Sequence, residues 1–199
     1  MANGERLSLA GVWQFELDPD DRGVDEAWFS RDLSGEIALP GSLQSQGFGE
    51  DVGVETKWTG RIRDRSWFTE PQYEPYRQPG NVKVVFWLQP EKHYVGASWY
   101  RRPVSIPEEW GGKRVVLTLE RAHWETRVWI DRRYVGSDDS LSTPHAYVLF
   151  DRAVPGEHWL TVRVDNRMIV EVGEDAHSVA DHTQTNWNGI VGSITLHAT

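Results

Sequence analysis

The residues with most to offer chemically lie near the end of the chain, where His177, Asp181, His182, Thr183, Gln184, Thr185, Asn186, Trp187 and Asn188 crowd together. Amides, hydroxyls and an acid around an indole are the groups that hold a polyhydroxylated ring. Its hydroxyls need donors and acceptors, and its C–H face needs an aromatic plane. The same stretch also reads as a polar loop in which Asn188-Gly189 turns tightly into a last strand over 191–196, with Trp187 anchored in the core. Both readings stand for the loop; for Trp187 the core position is preferred.

Other chemistries find less support. His93, His123, His145, His158, His177, His182 and His197 include no pair at the i, i+4 spacing of a helical zinc site, so no metal is expected. The acids Asp18, Asp20, Asp21, Asp138 and Asp139 lack calcium-loop spacing and read as solvated turns. With no cysteine there is neither disulfide nor thiolate nucleophile. No Gly-x-Ser-x-Gly elbow and no phosphate-cradling glycine loop occurs, and no cofactor is expected. A glycosidase-type carboxylate pair needs only two acids about 5 Å apart, and 30 acids leave it unlocated.

The elements that must position these groups read as strands. Segment 11–17 alternates and stops at Asp18-Pro19-Asp20-Asp21; 37–39 runs into Pro40-Gly41-Ser42, where Ser42 is placed to cap a helical turn. Further on, Val115, Leu117 and Leu119 share a face, as do Trp124, Thr126, Val128 and Ile130. Leu160, Val162 and Val164 oppose Thr161, Arg163 and Asp165. Such alternation predicts half-buried antiparallel sheets, and short strands punctuated by Gly and Pro predict an all-β, jelly-roll β-sandwich. Between 52 and 81 the period vanishes, yet Trp58, Trp67, Phe68, Tyr73 and Tyr76 lie there, which predicts an ordered, aromatic-rich irregular lobe.

Length and composition are consistent with this reading. With 199 residues, 39% apolar, and 11 tryptophans that mostly belong to a core, the chain reads as a single globular domain over 1–199. A net charge of -9 opposes nucleic acid, and Asp64 interrupts the basic run Arg61, Arg63, Arg65. No apolar run approaches the ~20 residues of a membrane span, and MANGERLSLA has neither the basic nor the apolar region of a signal peptide.

Several short motifs, in order, resemble one family. Gly11-Val12-Trp13-Gln14-Phe15, Leu39-Pro40-Gly41-Ser42, Tyr94-Val95-Gly96-Ala97-Ser98-Trp99-Tyr100-Arg101-Arg102 and Val128-Trp129-Ile130-Asp131 come first. Ser140-Leu141-Ser142-Thr143-Pro144-His145, Val164-Asp165-Asn166 and Asn186-Trp187-Asn188-Gly189-Ile190-Val191-Gly192 follow. Together they resemble the N-terminal sugar-binding domain of glycoside hydrolase family 2, which includes β-galactosidases, β-glucuronidases and β-mannosidases.

The resemblance implies a galactose-binding-like jelly roll. It also implies catalysis elsewhere, since the family hydrolyses glycosides with two glutamates on a (β/α)₈ barrel, one of them in an Asn-Glu pair. This chain has no Asn-Glu pair and is shorter than the ~250 residues of a barrel. By resemblance, its partners are a terminal β-linked sugar and the immunoglobulin-like and barrel domains of one longer polypeptide, in a periplasmic or extracellular setting. The loop before Gly189-Ile190 commonly supplies an aspartate to the sugar in this family. Thr183 stands at that position here, so Asp181 or Gln184 is expected to serve instead, and Lys57 and Trp58 are expected to contribute from the aromatic lobe. An independent carbohydrate-binding module and a purely structural clamp on the barrel are the rival readings.

Overall fold

The structure is a computed structural model and describes residues 5–199. They divide into two compact units. The first comprises the described residues up to Ser42, Gly96–Arg167 and Asn188–Thr199; the second comprises Leu43–Val95 and Met168–Trp187. The irregular lobe expected over 52–81 is thus part of a larger unit that includes most of the polar tail.

Among the described residues, ten strands build the sandwich of the first unit: β1 (Arg6–Ser8), β2 (Gly11–Asp18), β3 (Gly35–Leu39), β4 (Ala97–Ile106), β5 (Val115–Leu119), β6 (Glu125–Ile130), β7 (Arg133–Asp138), β8 (His145–Phe150), β9 (Gly156–Asp165) and β10 (Ile194–Ala198). They form an antiparallel sandwich of a four-stranded sheet, β1-β10-β5-β8, and a six-stranded sheet, β7-β6-β9-β4-β2-β3. Register places the core. Val162 is opposite both Val128 and Tyr100, and Tyr100 is opposite Phe15, so all four share the inner face of the larger sheet. Leu117 lies between Leu196 and Tyr147 in the smaller sheet, and all of these side chains are buried. The hairpin between β6 and β7 turns through Asp131 and Arg132, both at positive φ.

The polar face of the larger sheet departs from the half-buried expectation. Thr161, Arg163 and Asp165 are as buried as the valines they alternate with. The chain between β2 and β3 explains this, because Trp28, Phe29 and Leu33 pack over Trp99 and Trp129, with Phe29 stacked on Trp129 at 5.4 Å. Asp18 pins that segment by accepting the N–H groups of Arg22 and Gly23, each at 2.8 Å, and the Trp99 indole N–H at 2.9 Å. Beneath the cover, the buried Arg163 donates to Asp165 at 2.7 Å, Glu125 at 3.2 Å and Asp21 at 2.5 Å. Both terminal nitrogens of the guanidinium are thus paired with carboxylates, which makes its burial tolerable.

Two local expectations are corrected. Gly189–Ile190 is no turn but a short strand between Gly41–Ser42 and Ala122–His123, and the last strand is Ile194–Ala198, later than 191–196. Gly189 sits at φ +138, and a Cβ there would come within 2.5 Å of the Gly41 carbonyl oxygen, so only glycine lets the backbones meet. Ser42 belongs to this small sheet, and Leu43 occupies the cap position of the 3₁₀ turn Gln44–Gln46.

The second unit has little regular structure. Glu50–Asp51 pairs with Lys92–His93, and single turns occur at Ser66–Thr69 and Asp181–Gln184 with a 3₁₀ stretch at Pro71–Arg77. Its order comes from a second apolar cluster. Trp67, Val84 and Phe86 are buried, and Val52, Trp58, Ile62, Phe68, Tyr73 and Val82 pack around them. Four of the five lobe aromatics are in this cluster, while Tyr76 is exposed.

Candidate functional site

Asp181 is the centre of the polar tail, and it is completely buried. It opens the turn Asp181–Gln184, where its Oδ1 accepts the Asn186 N–H at 2.9 Å and its Oδ2 accepts the Thr59 N–H at 2.7 Å. His93 Nε2 stands 3.3 Å from the same Oδ2, and the Asp181 N–H returns to the Thr59 carbonyl at 3.0 Å. Asn186 adds a side-chain bond to Thr59 Oγ1 at 2.9 Å. One carboxylate therefore ties the tail to the segment around Thr59 and to the Lys92–His93 strand, all within the second unit. A wholly buried carboxylate engaged by two backbone N–H groups and a histidine is placed as a strut of this unit, where the sequence suggested a contact with substrate.

Asn188 takes a different role from its neighbours. It belongs to the first unit, is buried, and its Oδ1 accepts from Ser98 Oγ at 2.7 Å while its Nδ2 donates to the Gly96 carbonyl at 2.9 Å and to Asn166 Oδ1 at 3.3 Å. Asn166 Oδ1 in turn accepts the Gly96 N–H at 2.9 Å. Ser98, Asn166 and Asn188, drawn from three separated motifs, thus meet as one buried network, which places Asn188, read from the sequence among the sugar-site residues, in the core. Buried amides that satisfy one another in this way fix backbone positions.

The other predicted residues are distributed unevenly. Gln184 is exposed, and its Oε1 accepts from Ser178 Oγ at 3.3 Å. Thr183 and His182 are partly buried; Thr183 donates to the Ala180 carbonyl at 2.7 Å, and His182 Nε2 lies 3.8 Å from Asp175. Trp187 is partly buried, less than a core anchor would be. Lys57 is exposed, whereas Trp58 is partly buried with its ring edge-on to Phe86 and to His93. Trp58 and Asp181 therefore meet through His93, which no motif or spacing singled out for this site.

The second unit also carries an open cleft of about 860 Å³, lined by 50–56, by Arg77, Pro79, Gly80 and 82–84, and by 89–91. Its acids are Glu50, Asp51, Glu55 and Glu91, and its cations Arg77 and Lys83. Lys92 donates to Asp51 at 2.7 Å and holds that carboxyl below its ordinary range, ionised at neutral pH. Carboxylates and amides facing an open cleft can accept and donate hydrogen bonds to hydroxyls. Among the described residues no group of three His, Cys, Asp or Glu is arranged to hold a metal ion.

No family model matches the chain. It is 24% identical over 163 residues to a β-glucuronidase of Paenibacillus borealis, covering 81% of this chain and 21% of that protein. It is 25% identical over 179 residues to a β-glucuronidase of Pongo abelii, with 82% and 22% covered. A β-galactosidase of Halalkalibacterium halodurans is 24% identical over 166 residues, with 81% and 14% covered. The chain thus spans about a fifth or less of the length of these relatives. Among solved structures, a β-glucuronidase of an uncultured Clostridium sp. shares the fold at TM-score 0.65 and 19% identity, over 100% of this chain and 30% of that one. A β-glucuronidase of Ruminococcus gnavus in complex with uronic isofagomine does so at 0.64 and 17%, over 100% and 29%.

Proposed function

We propose that this chain, which matches the N-terminal domain of the family 2 glycoside hydrolases, is the carbohydrate-recognition domain of a retaining exo-β-glycosidase. It supplies shape and hydrogen bonds to the subsite for a terminal β-linked sugar, and the bond-breaking acids belong to a barrel reached through an immunoglobulin-like domain of the same polypeptide. A periplasmic or extracellular setting goes with this reading. The observation that carries it is the similarity of most of the chain to a domain-sized part of much longer β-glucuronidases and β-galactosidases. The second unit supports it, because its loops are fixed by Asp181 and by the Trp67 cluster while an acid-lined cleft and Gln184 remain open.

The test compares the natural polypeptide containing this sequence with the chain alone on p-nitrophenyl β-glucoside, β-galactoside, β-mannoside and β-glucuronide. Turnover of at least one by the polypeptide and of none by the chain is expected. Turnover by the chain alone, abolished on changing one of its own carboxylates, would overturn the reading.

A further inference from the structure

Trp87 is the most exposed large apolar side chain among the described residues, at 89% of its full exposure. An indole held in water forgoes the burial that most tryptophans of this chain obtain. A frayed segment would explain such exposure, but this loop is pinned on both sides. Val84 and Phe86 are buried in the Trp67 cluster, and Phe86 meets the Trp58 ring at 4.8 Å. The Gln89 carboxamide closes the loop: its Oε1 accepts the Val84 N–H at 3.0 Å, and its Nε2 donates to the carbonyls of Val84 at 2.6 Å and Phe86 at 3.2 Å. The alternation that buries Val84 and Phe86 turns Val85 and Trp87 outward. Both stems of the loop, Val84 on one side and Gln89 with Pro90 on the other, line the cleft of the second unit.

We infer that Trp87 is a stacking platform for a neutral pyranose ring whose hydroxyls reach the carboxylates of the adjoining cleft. The inference rests on the carbohydrate-recognition reading and names a site within it. A planar indole suits the C–H face of a sugar, and a loop already clamped loses little further freedom when it binds. Charge selects the class of sugar. With Asp51 paired to Lys92 at 2.7 Å, Glu50, Glu55 and Glu91 still outnumber Arg77 and Lys83. The cleft therefore disfavours a uronate relative to a neutral ring.

The experiment follows the indole and amide resonances of the ¹⁵N-labelled chain while cellobiose or methyl β-glucuronide is added. Saturable shifts at the Trp87 indole and the Gln89 amide are expected with cellobiose. Trp87→Ala, which removes an exposed side chain and leaves the fold intact, should weaken binding about five- to tenfold. Gln89→Ala should weaken it with the indole still present, because the platform is loosened. The glucuronide should bind about threefold more weakly, the effect of one like charge some 6 Å away in water. Cellobiose shifts confined to other residues would overturn this site and leave the carbohydrate-recognition reading standing. Silence at the Trp87 indole with both sugars would overturn this site, while the carbohydrate-recognition reading stands or falls on turnover by the natural polypeptide. Tighter binding of the glucuronide would overturn the neutral-ring assignment, and self-association abolished by Trp87→Ala without any sugar shift would make the indole a protein contact.

Discussion

Replacing Asp181 by alanine distinguishes a strut from a sugar ligand. The carboxylate is completely buried and accepts the backbone N–H groups of Thr59 and Asn186, so its removal orphans two donors in a site that solvent does not reach. Each orphaned donor costs about 1–3 kcal/mol, which gives roughly 2–5 kcal/mol for the pair after some relaxation. Asparagine keeps one acceptor oxygen but turns an NH₂ group toward the other donor, so Asp181→Asn should lose only about 1–3 kcal/mol. The loss falls on the second unit, where Thr59, His93 and Asn186 converge on this one side chain.

Amide hydrogen exchange reads it directly. A loss of 2 kcal/mol in local stability corresponds to about 30-fold faster exchange, and the Thr59 and Asn186 amides should show it first. The inner strands β4, β6 and β9 should keep their protection. If Asp181→Ala left the Thr59 and Asn186 amides within about threefold of the parent while abolishing sugar binding, the side chain would be a ligand and the strut assignment would be refuted.

Other perturbations address the remaining links. Burial pushes the Asp165 carboxyl up, but hydrogen bonds and charge from Arg167 and Arg163 overcome it and hold the carboxyl below its ordinary range. Its contribution to stability is thus complete above the unfolded pKa near ~3.9 and is lost as pH falls through the depressed folded value. Urea midpoints should accordingly drop on acidification below about pH 4, with a shallower drop in Asp165→Asn, a variant expected to cost about 1–3 kcal/mol at neutral pH because the buried Arg163 loses one carboxylate partner and keeps Glu125 and Asp21. Gly189→Ala should destabilise the chain by about 1–3 kcal/mol in thermal unfolding, since the new Cβ meets the Gly41 carbonyl at 2.5 Å in a backbone conformation that L-residues rarely adopt. In the natural polypeptide, Gln184→Ala should lower kcat/KM about fivefold while moving stability by less than about 0.5 kcal/mol; an unchanged kcat/KM would remove Gln184 from the subsite.

The sandwich was legible because its signal is local. Strands such as β5, with Val115, Leu117 and Leu119 inward, carry the two-residue period in their own letters. The cover over the larger sheet was not legible. Arg163 and Asp165 look like a solvent face until Trp28, Phe29 and Leu33, more than a hundred positions earlier, are known to lie over that sheet. The polar tail misleads for the same reason. Asp181 and Asn188 have the composition of a sugar site, but their partners, Thr59 and His93 for one and Ser98 and Asn166 for the other, are distant in sequence, and only the fold separates a ligand from a clamp.

The two buried clusters also account for how a unit with few strands can hold loops steadily enough to recognise anything. A sheet fixes its residues through the ladder; the second unit has only one two-residue pair of strands, so its backbone donors must find side chains instead. Asp181 satisfies Thr59 and Asn186, Gln89 satisfies Val84, and Thr56 Oγ1 accepts the Gly53 N–H at 2.8 Å beside the cleft. These clamps are side chains whose polar atoms turn inward, which leaves the neighbouring positions, Lys57, Gln184 and Trp87, to face outward from a fixed backbone. Sugar selectivity should therefore change with substitutions at the outward positions and order should change with substitutions at the clamps. Gln184→Ala and Asp181→Ala, only three residues apart, are expected to fall on opposite sides of that division.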